Sequence, residues 1–67
     1  MTTRRNETFT TTTRREETGG FETTTTGTAW EGPRTFEATW SENWDEANRE
    51  HNRQMEAFGS TASTFEN

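Results

Sequence analysis

From Glu7 to Arg15 the chain alternates, with Phe9, Thr11 and Thr13 on one face and Thr8, Thr10 and Thr12 on the other. Thr is β-branched and suits a pleated surface, so residues 7–15 are predicted as a first strand. "REETGG" follows, and Gly19 and Gly20 can take the positive φ that closes a hairpin. Residues 21–30 nearly repeat the first strand, placing Phe21, Thr23, Thr25, Gly27 and Ala29 on one face. Pro33, which lacks a donor and fixes φ, breaks the run, and a third strand over 34–40 is expected to set Phe36, Ala38 and Trp40 together.

At Ser41 the period changes from two to about 3.6. Ser41 is the expected N-cap, with Glu42, Asp45 and Glu46 where the helix dipole favours acids. Trp44, Ala47, His51, Met55 and Phe58 then recur at spacings of three and four, which predicts a helix over 42–58 with one narrow apolar stripe and an i,i+4 pair from Asp45 to Arg49. Gly59 is a natural stop. Residues 59–67 alternate weakly and read as either a short last strand or a frayed tail. The expected fold is therefore α+β: one domain over 1–67, a three-stranded antiparallel sheet with room for a fourth strand, and one helix across one face.

Composition cuts against this pattern. Apolar residues are 22% of the 67, against about 45–50% in ordinary soluble domains, and five of those fifteen are Ala. With a net charge of −5, composition alone points to a disordered chain. If it folds, the Thr methyls must be buried beside the aromatics, and each Thr hydroxyl in that layer needs a partner; low stability is expected. Leu, Ile, Val, Lys, Tyr and Cys are all missing, while Thr supplies seventeen residues and Arg every fixed side-chain cation. Leu and Val are normally among the commonest residues, so deliberate simplification of the alphabet is the simpler cause.

Without Cys there are no disulfides or thiolate sites, and nothing is learned about redox compartment or localisation. No apolar run exceeds two residues, so neither a signal peptide nor a membrane span is expected and the chain reads as soluble. A pI near 4.7 argues against nucleic-acid binding, although Arg4, Arg5, Arg14 and Arg15 leave the first third locally basic.

Candidate chemistry is thin. His51, the one imidazole, has Asn52 and Met55 as neighbours on its helix, poor partners for metal or acid/base work, and reads as a filler of the stripe. Glu16 and Glu17 flank the Gly-Gly turn, where a hairpin tip leaves both in water. Ser41, Ser60 and Ser63 lack the strand-turn-helix glycines of a hydrolase nucleophile. Thr8, Thr10, Thr12, Thr24, Thr26 and Thr28 would form an outer lattice similar to those of ice-binding proteins, or simply replace aliphatics in a soluble strand. Uncharged Thr strands can also pair between chains, which leaves two states open, a folded monomer and weak self-association through an edge strand.

Three pieces of the pattern stand in a recognisable order. "REETGGF" closes the hairpin, Gly32 follows the second strand, and "TWSENWDEA" from Thr39 to Ala47 opens the helix. In that order they resemble the HicB-like antitoxin family, which has an acidic turn ending Gly-Gly-Tyr/Phe, a Leu-Pro-Gly segment and a Thr-Leu-Glu-Glu-Ala-Leu helix start. Trp40 and Trp44 stand at the family's Leu positions, and His51 and Met55 at its Ile and Leu. The likeness spans about residues 7–58; the Leu-Pro-Gly segment and the glycine before the helix are missing. It implies a three- or four-stranded sheet with one helix, and neutralisation of a small RNA-cleaving toxin by protein contact. "RTFEATW" with "EANREHNRQMEAFGSTA" is also similar to the last strand and helix of plant AP2-type DNA-binding domains, but those read DNA through Arg- and Trp-rich strands, which this acidic, Thr-rich chain does not offer.

The expected function is thus that of an artificial, simplified-alphabet mini-domain, a folding test object with no catalytic, cofactor or metal site and no required partner. The alternative is a HicB-like module that docks a basic protein partner through its acidic surface.

Overall fold

The computed structural model describes residues 8–28 and 32–66. Strands β1 (Phe9–Arg15), β2 (Phe21–Gly27) and β3 (Arg34–Ser41) are followed by helix α1 (Trp44–Phe58) and strand β4 (Ala62–Phe65). The sheet order is β3-β2-β1-β4. β1, β2 and β3 pair antiparallel, and of the two readings of the C-terminal segment the strand is the one found: β4 pairs parallel to β1, with Thr11 opposite Ser63 and Thr13 opposite Phe65. The sheet is therefore mixed, because α1 crosses its face and returns the chain in the direction of β3. The strand ends expected at Glu7, Ala29 and Trp30 lie outside the described residues.

The hairpin forms where two glycines allow it. Gly19 (φ 111°) and Gly20 (φ 82°) take left-handed conformations closed to most side chains, and Glu16 N–H donates to Gly20 O at 3.0 Å. This closure sets Arg15 against Phe21, and counting back from it brings Thr13 opposite Thr23 and Thr11 opposite Thr25. All four Thr are fully buried beneath the helix.

β3 departs from its expected face. A register shift between Thr25 and Thr26 leaves Phe36 as an extra residue, since Thr25 faces Glu37 and Thr26 faces Thr35. This is a β-bulge, with two residues opposing one. It carries Phe36 to the helix side, where its ring meets Phe9 at 5.2 Å and Phe58 at 6.1 Å, and it reverses the alternation beyond. Ala38 and Trp40 consequently share the outer face with their partners Thr24 and Glu22, while Thr39 and Ser41 point inward. Trp40 is 58% exposed, lies over Gly20, and donates its indole N–H to Gly19 O at 3.2 Å.

The helix starts later than expected. Asn43, not Ser41, is the N-cap, and its side-chain oxygen accepts from Glu46 N–H at 2.9 Å. Ser41 instead closes β3, buried opposite Phe21. Gly59 (φ 64°) ends the helix as expected, and Ser60 N–H reaches back to Met55 O in the six-to-one bond of a Schellman motif. The anticipated tryptophan stripe is incomplete: Trp44 is 46% exposed and Met55 half-buried, whereas Ala47, His51 and Gln54 form the buried face.

The interior is inverted relative to an ordinary domain. Among the described residues Phe21 and Ala47 are the buried apolar ones, against seven buried polar ones: Thr11, Thr13, Thr23, Thr25, Ser41, His51 and Gln54. Aromatics close the two ends of this polar layer. Phe9, Phe36 and Phe58 pack together at one end, and Trp44 and Phe65 (5.7 Å) with His51 and Phe21 at the other.

Candidate functional site: the hydroxyl layer beneath the helix

The chemically capable side chains converge on this buried layer. Two hydrogen-bonded chains cross it. In the first, Ser60 Oγ lies 2.7 Å from Thr11 Oγ1, Thr11 Oγ1 lies 2.8 Å from Thr25 Oγ1, and Thr25 donates to Gln54 Oε1 at 2.7 Å. An amide oxygen cannot donate and each hydroxyl has one proton. Donation therefore runs one way, from Ser60 to Thr11 to Thr25 to Gln54.

Gln54 uses both ends. Its Nε2 donates to Glu50 Oε2 at 2.9 Å, with longer contacts to Thr39 Oγ1 and Thr23 O. Arg53 closes the outer side of this arm, pairing with both Glu50 and Glu37. The Arg53 guanidinium is the main reason the Glu50 carboxyl is held below its ordinary range, with Gln54 adding to it and burial opposing. Those same bonds hold the Arg53 cation more firmly charged than usual. The pair expected between Asp45 and Arg49 is not among the ion pairs of the described residues.

The second chain passes through His51. Thr23 Oγ1 lies 2.8 Å from Thr13 Oγ1, which lies 2.7 Å from His51 Nδ1, and His51 Nε2 lies 2.8 Å from Ser63 Oγ. The proton inventory selects one tautomer. If Nδ1 carried the proton, Thr13 would have to donate to Thr23, leaving the fully buried Thr23 hydroxyl proton without an acceptor among the described residues. With the proton on Nε2, Thr23 donates to Thr13, Thr13 to Nδ1, and Nε2–H to Ser63. Burial pushes the His51 pKa down, in keeping with a neutral ring.

No buried side-chain nitrogen or oxygen in the described residues is left unpaired. This is how a Thr layer holds: cross-strand hydroxyl pairs satisfy one another, and Gln54 and His51 close the chains from the helix.

The other sequence candidates are dispersed. Glu16 and Glu17 line a shallow open depression at the hairpin tip with Arg15, Gly19, Gly20 and Phe21, over which Arg15 rests at 5.7 Å. Ser60 and Ser63 join the network, and Ser41 does not. Thr10, Thr12, Thr24 and Thr26 are half-buried on the outer face. Among the described residues no cluster of three or more His, Asp or Glu could hold a metal ion, and no helix is long and apolar enough to cross a membrane.

Sequence reasoning missed Gln54 altogether. A polar residue three positions after His51 and one before Met55 sits on the stripe by helical spacing, and that spacing was the available signal. No protein-family model, curated protein or solved structure matches the chain.

Proposed function

We propose that this chain is a simplified-alphabet mini-domain, engineered to fold rather than to catalyse, in which Thr, Gln and His replace the aliphatic interior of an α+β domain. One observation carries this reading: both ring nitrogens of the single histidine are engaged by Thr13 and Ser63, so the one group suited to acid/base work at neutral pH is committed to the core. The cross-strand pairs Thr11–Thr25 and Thr13–Thr23 support it further, because they occupy inward positions that β-branched aliphatics hold in ordinary sheets.

The test is a two-dimensional amide NMR spectrum of the isolated chain. Dispersed resonances, with slowly exchanging amides in β1 and β2, are the expected result. A collapsed spectrum without added ligand or partner overturns the reading.

A second reading, a HicB-like module that docks a basic RNA-cleaving toxin, is favoured by the order of elements: the strand-strand-strand-helix-strand layout agrees with what that resemblance implies. Its test is a salt-sensitive association with such a toxin, weakened by raising ionic strength.

A further inference from the structure

The two edges of the sheet differ in chemistry. β3 carries Arg34, Glu37 and Trp40 and the Phe36 bulge, devices that blunt pairing with another strand. β4 is Ala62-Ser63-Thr64-Phe65, with no charge, proline or bulge, and among the described residues no strand lies beyond it. Its backbone is already polarised toward one side. Glu66 N–H donates to Thr13 O at 2.8 Å, and since backbone groups alternate sides along a strand, Thr64 and Ala62 also face β1 while the N–H and C=O of Ser63 and Phe65 face outward.

We propose that β4 is a dimerisation edge, and that its partner is β4 of a second copy, paired antiparallel about a two-fold axis through Ser63. A two-fold normal to the sheet keeps each residue on its face, so opposed residues must share a face. Centring on Ser63 meets that condition and sets Ala62 against Thr64 of the second copy. Ser63, whose backbone groups point outward, then meets its own copy at the axis as a hydrogen-bonded pair of an antiparallel ladder, and Ala62 and Thr64 form the closer non-hydrogen-bonded pairs beside it. The continuous sheet then keeps both helices on one side.

Two further observations fit that geometry. The helix lies over β1, β2 and β3, leaving the β4 margin of its face open, and there the exposed Trp44 ring rests on Phe65 at 5.7 Å. In the dimer Thr61 of the second copy falls opposite Phe65 and roofs this aromatic margin, supplying the apolar burial that backbone bonds alone lack. Charge does not oppose the pairing, because Glu66 falls opposite Ser60 of the second copy. The contact is small, and belongs to the weak, reversible class.

The experiment is sedimentation velocity of the full chain from about 10 µM to about 1 mM, the range suited to an interface of this class. The expected result is a shift from monomer to dimer with concentration. Ala62 and Thr64 are exposed on the outer face, so the double variant Ala62→Lys/Thr64→Lys leaves the monomer's interior intact while opposing lysines across the axis. It is expected to stay monomeric with unchanged far-UV circular dichroism. Ala62→Glu/Thr64→Glu behaves likewise, and an equimolar mixture of the two variants restores the dimer, since each Lys then faces a Glu. A wild-type chain monomeric throughout, a dimer indifferent to the lysines, or a mixture of folded variants that fails to reassociate overturns the proposal. Should either variant unfold, amide exchange at Ser63 and Phe65 of the wild type decides. Protection that rises with concentration supports the edge, whereas protection already present in the monomer means a segment of the same chain covers it and overturns the proposal.

Discussion

Thr25 Oγ1 lies 2.7 Å from Gln54 Oε1, an acceptor with no proton to give, and that contact orients every bond behind it. Thr11 must donate to Thr25, and Ser60 to Thr11. A network with one allowed direction behaves as a unit, and truncating a member differs from deleting the whole.

Thr25→Val keeps the shape of the side chain but leaves the Gln54 oxygen without its donor and the Thr11 proton without an acceptor. The expected loss is about 1–3 kcal/mol for each buried group left unpaired. Replacing the chain together, as Ser60→Ala, Thr11→Val, Thr25→Val and Gln54→Leu, removes both sides of each bond and is expected to recover most or all of that loss. Urea denaturation of the two variants checks it; a combined variant less stable than Thr25→Val alone would show that the layer stabilises as a polar network rather than tolerating one.

How much of this was legible follows from particular residues. The inward faces of β1 and β2 were readable because Phe9, Thr11 and Thr13 and then Phe21, Thr23 and Thr25 alternate without a break, and the Gly-Gly turn sets their register. β3 misled because an unpaired Phe36 reverses its alternation, and a bulge in so short a strand leaves no compositional mark. The cap was legible after all: Asn43-Trp-Asp-Glu46 carries the polar residue and the Glu three positions later that open a helix, whereas Ser41 has Trp44 in that place. β4 is four residues long and its parallel partner is just over fifty positions away, so its weak alternation showed a strand only as one of two readings and could not show the pairing. Gln54 was hidden because hydrophobic periodicity scores a buried amide as surface.

Gly20 is held by two separate constraints. Its φ of 82° disfavours any side chain, and a Cβ there would meet the Trp40 ring at 2.3 Å. Gly20→Ala is therefore expected to lower stability by more than the about 1 kcal/mol typical of a single mutation, and to displace Trp40 from the Gly19 carbonyl with a change in indole fluorescence. Combining it with Trp40→Ala relieves the clash but not the backbone strain. The pair should be more stable than the sum of the single changes, yet less stable than Trp40→Ala alone.

Arg53 is half-exposed, but it is the largest cause of the lowered Glu50 pKa. Arg53→Ala is expected to raise the Glu50 pKa, because burial then acts with less opposition. Carboxyl-detected NMR titration measures this directly. A Glu50 pKa unchanged in the variant would mean that the Gln54 amide, not the guanidinium, holds the carboxylate.

His51 makes stability fall toward acid. Its folded pKa lies below the ordinary 6.5, so the unfolded chain binds the proton more readily than the folded one. The contribution is fully present above about pH 6.5, begins to be lost as pH drops below that value, and is exhausted once pH has passed the lower folded pKa. The structural cause is the proton inventory: a doubly protonated ring donates to both Thr13 and Ser63, which turns the Thr13 proton toward Thr23 and leaves the buried Thr23 proton without an acceptor. Glu50, whose folded pKa is also lowered, adds a second decline as pH falls below the ordinary 4.5. Denaturant midpoints followed from pH 8 down to about pH 3 should therefore drop in two stages. His51→Gln, which has no proton to gain but keeps an acceptor and a donor, removes the first stage and leaves the second; a midpoint flat from pH 7 to pH 5 in the parent chain would contradict a neutral, Nε2-protonated His51.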